Sequence, residues 1–293
     1  MGYSRWDDNV YQSYASNTNL RSLSQAETFT SREMSFKLDP KKIFIRESMD
    51  SEKNPNSTPI IFGLDVTGSM GFLPEAMVKD ALPKLMGSMY ENRPVSDPHV
   101  MFMGIGDVDA GDRAPLQVSQ FEADISLVEQ LRDLYIERGG GGNGYESYHL
   151  PWYFATHLVN ADAINKRGRK GYIFTMGDEP PPPSGISIHN LKRIFGEDRA
   201  GDMKTYGSIN GLLNAVKAKF NVFHLIVEQG SYYQSRPSEV KSLWKSLLGK
   251  NAILLDKTDN LADVVNAIML INEGANPEEV IKQNKSLKHA FSI

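Results

Sequence analysis

Apolar residues along this chain fall into short unbroken runs separated by longer stretches with a helical repeat. Ile60–Leu64 (IIFGL), Val100–Ile105 (VMFMGI), Tyr172–Met176 (YIFTM), Val222–Val227 (VFHLIV) and Ala252–Leu255 (AILL) have the pattern of strands buried on both faces. Leu116–Val118 is a further short strand. Between the runs, Pro74–Glu91, Ser126–Ile136, Glu146–Val159, Ile209–Lys219, Ser238–Leu248 and Asn260–Ile271 are predicted helices. Pro83 should kink the first of them, because it lacks an amide hydrogen. Strands separated by helices predict an α/β fold: a doubly wound, mostly parallel, Rossmann-like sheet with helices on its faces. Ligands of such sheets bind in the crevice at the carboxyl ends of the strands. Asp65, Asp107 and Asp178 each stand just past the end of a predicted strand, so residues far apart in sequence should share one edge.

The two ends differ from this body. Residues 1–58 are set apart as a polar N-terminal arm, residues 59–275 as the α/β domain, and 276–293 as a C-terminal tail. Within the arm, Asn9–Thr30 is rich in Ser, Asn, Thr and Tyr without a sustained period and reads as extended or partly ordered. Tyr3, Trp6, Tyr11 and Tyr14 suggest a contact region that orders on binding. Lys42–Arg46 (KIFIR) reads as a short strand, and Asp50–Pro59 as a turn-rich linker with two prolines.

Composition narrows the classes. An apolar share of 40% and a charged share of 23% are ordinary for a soluble domain. A net charge of −4 argues against nucleic acid as partner. Lys166-Arg167 and Arg169-Lys170, around Gly168, read as a solvated turn. The absence of cysteine excludes disulfides and thiolate metal sites and fits a reducing compartment. No signal peptide and no apolar run of roughly 18 residues is visible, so a membrane is not expected and the cytoplasm of the producing or host cell is.

The chemistry concentrates in three loops. In Asp65-Val-Thr67-Gly-Ser69, one carboxylate and two hydroxyls can aim at a common point, as a hard dication held by oxygen ligands requires. Gly68 permits the sharp turn. The second loop, Arg138 to Ser147, has four consecutive glycines, then Asn143 and Glu146. The third supplies Asp178 after a strand.

Asp65-Val-Thr67-Gly-Ser69-Met resembles the metal-ion-dependent adhesion site (MIDAS) signature, Asp-x-Ser/Thr-x-Ser, of von Willebrand factor A-type domains. The glycine-rich loop is similar to the Gly-Gly-Gly-Asp-x-x-Glu loop of many bacterial members, with Asn143 in the place of Asp or Thr. The strand ending Thr175-Met-Gly-Asp178 resembles the family's strand followed by Asp-Gly, here in the order Gly-Asp. The likeness runs from about Pro59 to Ile271 and implies an intracellular bacterial or phage-like member. It implies Mg2+ (or Mn2+ or Ca2+) held by Thr67 and Ser69, with Asp65 and Asp178 direct or through water and Asn143 beside them. Asp107 and Glu146 would stand behind these ligands. The last coordination position would take an acidic residue of a protein partner, and intracellular members often work beside AAA+ ATPases. The reading is therefore a scaffold, adaptor or assembly component, and not an enzyme.

Other chemistries fit less well. A phosphatase of the haloacid dehalogenase type needs a second Asp where Thr67 stands. A metal-dependent phosphoester hydrolase or nuclease using Asp65, Asp107, Asp109 and Asp178 is the alternative. Asp107-Val-Asp109-Ala-Gly-Asp112 lacks the ligands of an EF-hand and reads as a turn with solvated carboxylates, or as a secondary ion site. His149 and His157 lie too far apart on one helix to share an ion. Met77, Met86, Met89, Met101 and Met103 read as core, with Met70 the exception because it follows the metal loop. Glu146 either favours a helix dipole, holds its loop, or bonds a metal-bound water. Pro180–Pro183 is a stiff rim or a rigid turn.

Overall fold

The computed structural model describes residues 4–68, 70–137, 142–282 and 284–293. Among the described residues eight strands occur: β1 Arg46–Ser48, β2 Thr58–Asp65, β3 Pro98–Ile105, β4 Leu116–Val118, β5 Val159–Ala161, β6 Gly171–Gly177, β7 Phe220–Val227 and β8 Ala252–Leu255. Six form one sheet in the order β4-β3-β2-β6-β7-β8, parallel except for β4 at the edge. The expected mostly parallel α/β sheet is thus present. β1 and β5 form a separate parallel pair.

Helices cover both faces of the sheet, and the strands show why. Along β2, Ile60, Phe62 and Leu64 join one core cluster, while Ile61 joins the other. The period-two alternation of a strand therefore fills two layers at once. In the first layer Phe102, Phe62, Phe174 and Phe223 are register partners on four adjacent strands. Their rings stack with centroids 5.8, 5.4 and 5.5 Å apart, a cross-strand ladder through the middle of the core.

Several expectations are corrected. Asn9–Thr30 is not extended: it contains a helix at Asp8–Asn17, a turn of 3-10 helix at Leu20–Ser22 and a helix at Gln25–Thr28. Asp7 accepts a hydrogen bond from Asn9 N, and Ser24 with Glu27 closes a capping box. Trp6, Tyr11, Leu20 and Phe29 are buried in the first core layer. A few well-spaced aromatic and aliphatic anchors were enough, which a mean over a polar segment hides. The tail folds too, as Pro277–Lys282 and Lys285–Ala290, with Val280, Leu287 and Ala290 buried.

The strand expected over Lys42–Arg46 starts only at Arg46, after a 3-10 turn at Pro40–Lys42. The helix expected over Ser126–Ile136 ends at Arg132, and that over Glu146–Val159 spans His149–His157. Met70 is fully buried like Met77, Met86, Met101 and Met103. The basic turn is laced to its surroundings: Lys166 pairs with Asp162, Arg167 with Asp50, and Arg169 with Glu273.

The helix that follows β2 is not simply kinked. It runs as α-helix Phe72–Ala76, π-helix Met77–Ala81 and α-helix Leu82–Asn92. Leu82 N donates to Met77 O, five residues back. The register changes just before Pro83, whose ring nitrogen can serve neither register.

Candidate metal site at the sheet switch point

From β2 the chain winds outward through β3 to β4, then returns to β6 on the other side of β2. The crevice between the carboxyl ends of β2 and β6 is therefore the topological switch point, where doubly wound sheets bind their ligands. Asp65 ends β2, and Asp178 follows the last residue of β6. Both are fully buried.

Asp65 is held on both oxygens. Oδ1 accepts from Thr67 N at 3.0 Å and Thr67 Oγ1 at 2.6 Å, and Oδ2 accepts from the Tyr148 hydroxyl at 2.8 Å. Burial pushes its carboxyl up to about 7; the Thr67 hydrogen bonds oppose that, and the Asp178 charge adds to it. Tyr148 is itself buried, against the rings of His224 and Trp244. Burial and the surrounding carboxylates lift its hydroxyl well above the ordinary range, so it stays a neutral donor.

Asp178 Oδ2 accepts from Tyr232 N at 2.8 Å, at the start of the Ser231–Ser235 helix. Its Oδ1 is buried without a partner, and burial raises its carboxyl. Two glycines make this approach possible. A Cβ on Gly177 would lie 1.9 Å from the Tyr148 hydroxyl, and one on Gly230 would lie 2.2 Å from the Asp178 side chain. The Gly-Asp order at the end of β6 thus has a steric cause.

Glu146 lies three residues before the helix it was expected to open, at 2% exposure, with Oε2 unpartnered. Burial, then the charges of Asp65, Glu179 and Asp107, push its carboxyl up to about 11. Glu179 likewise has a buried, unpartnered Oε2; burial, then Asp65 and Asp178, push it up to about 8. Neither Tyr148 nor Glu179 stood out in the sequence. The only signal for Glu179 was its place beside Asp178, and a tyrosine among apolar residues carried none.

Asp107 is buried, which overturns its reading as a solvated turn carboxylate. Oδ1 accepts from Asp109 N at 2.8 Å and Ser147 Oγ at 3.2 Å, and Oδ2 accepts from Asn143 Nδ2. Asn143 thus stands against Asp107, at an exposed point of its loop. Asp109 bonds Asn190 Nδ2 at 2.8 Å. Ser69 and residues 138–141 of the glycine loop lie outside the described residues. His149 is buried, and His157 bonds the Tyr206 hydroxyl at 3.0 Å, so both act in packing.

Among the described residues, no three His, Asp or Glu side chains are gathered to hold a metal by themselves. A site here must draw on hydroxyls. The residues fit a dication on that basis: three buried carboxylate oxygens, on Asp178, Glu146 and Glu179, have no donor. The acids raise one another's carboxyls by mutual repulsion. Like charges buried together are costly unless a cation offsets them. Above the site runs a groove of about 520 Å³, bordered by Asn143, Tyr145, Pro180, Pro181, Tyr232 and Leu243.

No protein-family model matches the chain, and no curated protein matches it. Solved structures do. One is the pilus adhesin SpaC from Lactobacillus rhamnosus GG in its open conformation, at 13% identity and a TM-score of 0.47, covering 80% of this chain and 31% of that one. Another is proximal thread matrix protein 1 from the mussel byssus, at 9% identity and a TM-score of 0.45, covering 73% of this chain and 47% of that one. A second structure of that matrix protein has a zinc-occupied MIDAS motif, at 9% identity and a TM-score of 0.46. The chain spans less than half the length of each. No helix among the described residues is long and apolar enough to cross a membrane.

Proposed function

We propose that this chain is a von Willebrand factor A-like module that captures a protein partner through a divalent metal. Asp65, Thr67, Ser69 and Asp178 would hold the ion, with Glu146 and Glu179 behind them and Asn143 steadying the neighbouring loop through Asp107. The observation that carries the reading is the cluster of buried carboxylates at the switch point, three of whose oxygens lack any donor. The oxygen-only donor set favours Mg2+, with Mn2+ or Ca2+ as substitutes. A bound dication would supply positive charge and an open coordination position for an acidic side chain of the partner. Thr67 and Tyr148 fix the orientation of Asp65, and the Tyr232 amide fixes Asp178, so the ligands are placed before the ion arrives. An assembly component or an AAA+ ATPase in the cytoplasm is the partner class this reading favours.

The hydrolase alternative finds less support. Asp107 and Asp109 accept hydrogen bonds from Asn143, Ser147, Asn190 and the Asp109 amide. Among the described residues no three acidic side chains are gathered as a two-metal cage needs. Titration calorimetry with Mg2+ tests the proposal. The wild-type chain should bind one ion, and Asp65→Ala and Ser69→Ala should lose it while keeping the fold by circular dichroism. Undiminished binding in both variants sinks the assignment.

A further inference from the structure

Phe44 and Phe36 are the most exposed large apolar side chains among the described residues, at 84% and 71%. They are not on a loose loop. Arg199 Nη1 donates to the carbonyls of Pro40 at 3.0 Å and Ile43 at 2.7 Å. Arg46 Nη2 donates to Lys37 O at 2.8 Å and Val118 O at 3.0 Å, and Val118 N donates to Leu38 O at 2.9 Å. With Leu38 and Ile43 buried, the backbone is pinned and the two rings are held outward. Rigid, exposed aromatics at low entropic cost are what an interface centre uses.

The charges beside them say what kind of surface they meet. A groove of about 500 Å³ is lined by Phe36 and Ile43, by Lys37 and Lys42, and by Glu129 and Asp133 of the Ser126–Arg132 helix and its C-cap. All four charged residues are exposed. None is in an ion pair with its own chain among the described residues. An anionic bilayer would attract the lysines but repel Glu129 and Asp133. A partner of either single sign would likewise satisfy half the patch. A patch that carries both signs beside apolar rings is complementary to itself under a two-fold rotation, which sets one copy's lysines against the other's carboxylates.

We propose that Phe36–Arg46 and the Ser126–Asp133 segment form the isologous interface of a homodimer, with Phe36 and Phe44 packed about its axis. None of these residues belongs to the carboxylate site, so this interface stands or falls apart from metal binding.

Sedimentation equilibrium of the full chain over roughly 1–100 μM, the range in which modest interfaces dissociate, should give a dimer mass. Phe36→Ser with Phe44→Ser should weaken the dimer by about thirtyfold or more, as loss of an interface anchor does. Lys37→Glu with Lys42→Glu should weaken it by about tenfold, and so should Glu129→Lys with Asp133→Lys. All four charge changes together should restore the dimer, because the swapped walls again meet opposite signs. Circular dichroism checks that each variant folds. A monomer at every concentration, a dimer indifferent to loss of the two rings, or a four-fold charge swap that fails to recover association each overturns the proposal. In the first case, sedimentation with phosphatidylserine vesicles asks whether a membrane takes the surface instead.

Discussion

The Tyr11 hydroxyl stands at the two carbonyls that Pro83 leaves without an amide donor, 2.6 Å from Lys79 O and 3.2 Å from Val78 O. In an α-helix the donor missing at position 83 would have served Lys79, and in a π-helix Val78. Tyr11 lies in the N-terminal segment and is fully buried, so a residue far away in sequence satisfies a fault in the helix that follows β2. The same segment sets Gln25 against Gly71, where a Cβ would lie 2.6 Å from the Gln25 amide nitrogen.

Tyr11→Phe should therefore destabilise the fold by about 1–3 kcal/mol, the cost of a buried carbonyl left unpaired. Adding Pro83→Ala returns an amide donor to the helix and should recover part of the loss. Urea denaturation of the two variants decides it: a Tyr11→Phe protein as stable as wild type, or no coupling in the double variant, contradicts the assignment.

Gly177→Ala places a methyl group where the Tyr148 hydroxyl sits. Tyr148 must move, and Asp65 loses the donor to Oδ2. The expected outcome is a loss of about 1–3 kcal/mol in stability from the disturbed buried bond. Mg2+ affinity should fall as well, since the ligand is no longer held in place. An alanine variant with wild-type Mg2+ affinity by calorimetry would falsify the role given to Tyr148.

The buried acids make stability depend on pH in a metal-linked way. Asp65 and Glu179 have folded values raised to about 7 and about 8, above their unfolded values of 3.8 and 4.5. The folded state then binds more protons, so stability falls as pH rises towards the folded values. Between pH 6.5 and pH 8 the chelator-treated protein should melt at progressively lower temperature. Saturating Mg2+ should flatten that slope by pairing the ionised forms. Parallel melting curves with and without Mg2+ across this window would count against a metal at the site.

Histidines act in the opposite direction below that window. Burial lowers His99 and His149 to about 4, from 6.5. Their folded forms stay neutral while the unfolded chain takes up protons, so stability is lost as pH falls from 6.5 towards 4. His99→Gln should make the acid limb shallower in Mg2+, read from denaturation midpoints at pH 6.5 and pH 4.5; an unchanged limb rejects His99 as a source.

The aromatic ladder gives a direct test of the core packing. Phe62 is stacked on both sides, by Phe102 and Phe174. Phe62→Ala should cost about 3–5 kcal/mol, the usual range for a large aromatic removed from a core. A loss below about 1 kcal/mol, the scale of a surface change, would mean that the layer closes over the gap.

Much of this molecule was legible in its sequence. Runs such as Ile60–Leu64 and Tyr172–Met176 fixed the strands, because a strand buried on both faces needs apolar side chains at every position. Their alternation with helices fixed the doubly wound class and put Asp65 and Asp178 at one edge. The N-terminal segment was not legible, since its order rests on Trp6, Tyr11, Leu20 and Phe29 finding a core made by distant residues. The π-turn was not legible either: Pro83 announced a disruption, but only the Tyr11 hydroxyl decided which register relieves it.

The same division holds at the candidate site. Asp65 and Thr67 meet within one loop, and local sequence determines such a pair. Tyr148, Glu146 and Glu179 join them only because three chain segments return to the same end of the sheet. Burial and mutual repulsion act through space, so the raised carboxyls and the oxygens left without donors belong to the folded chain alone.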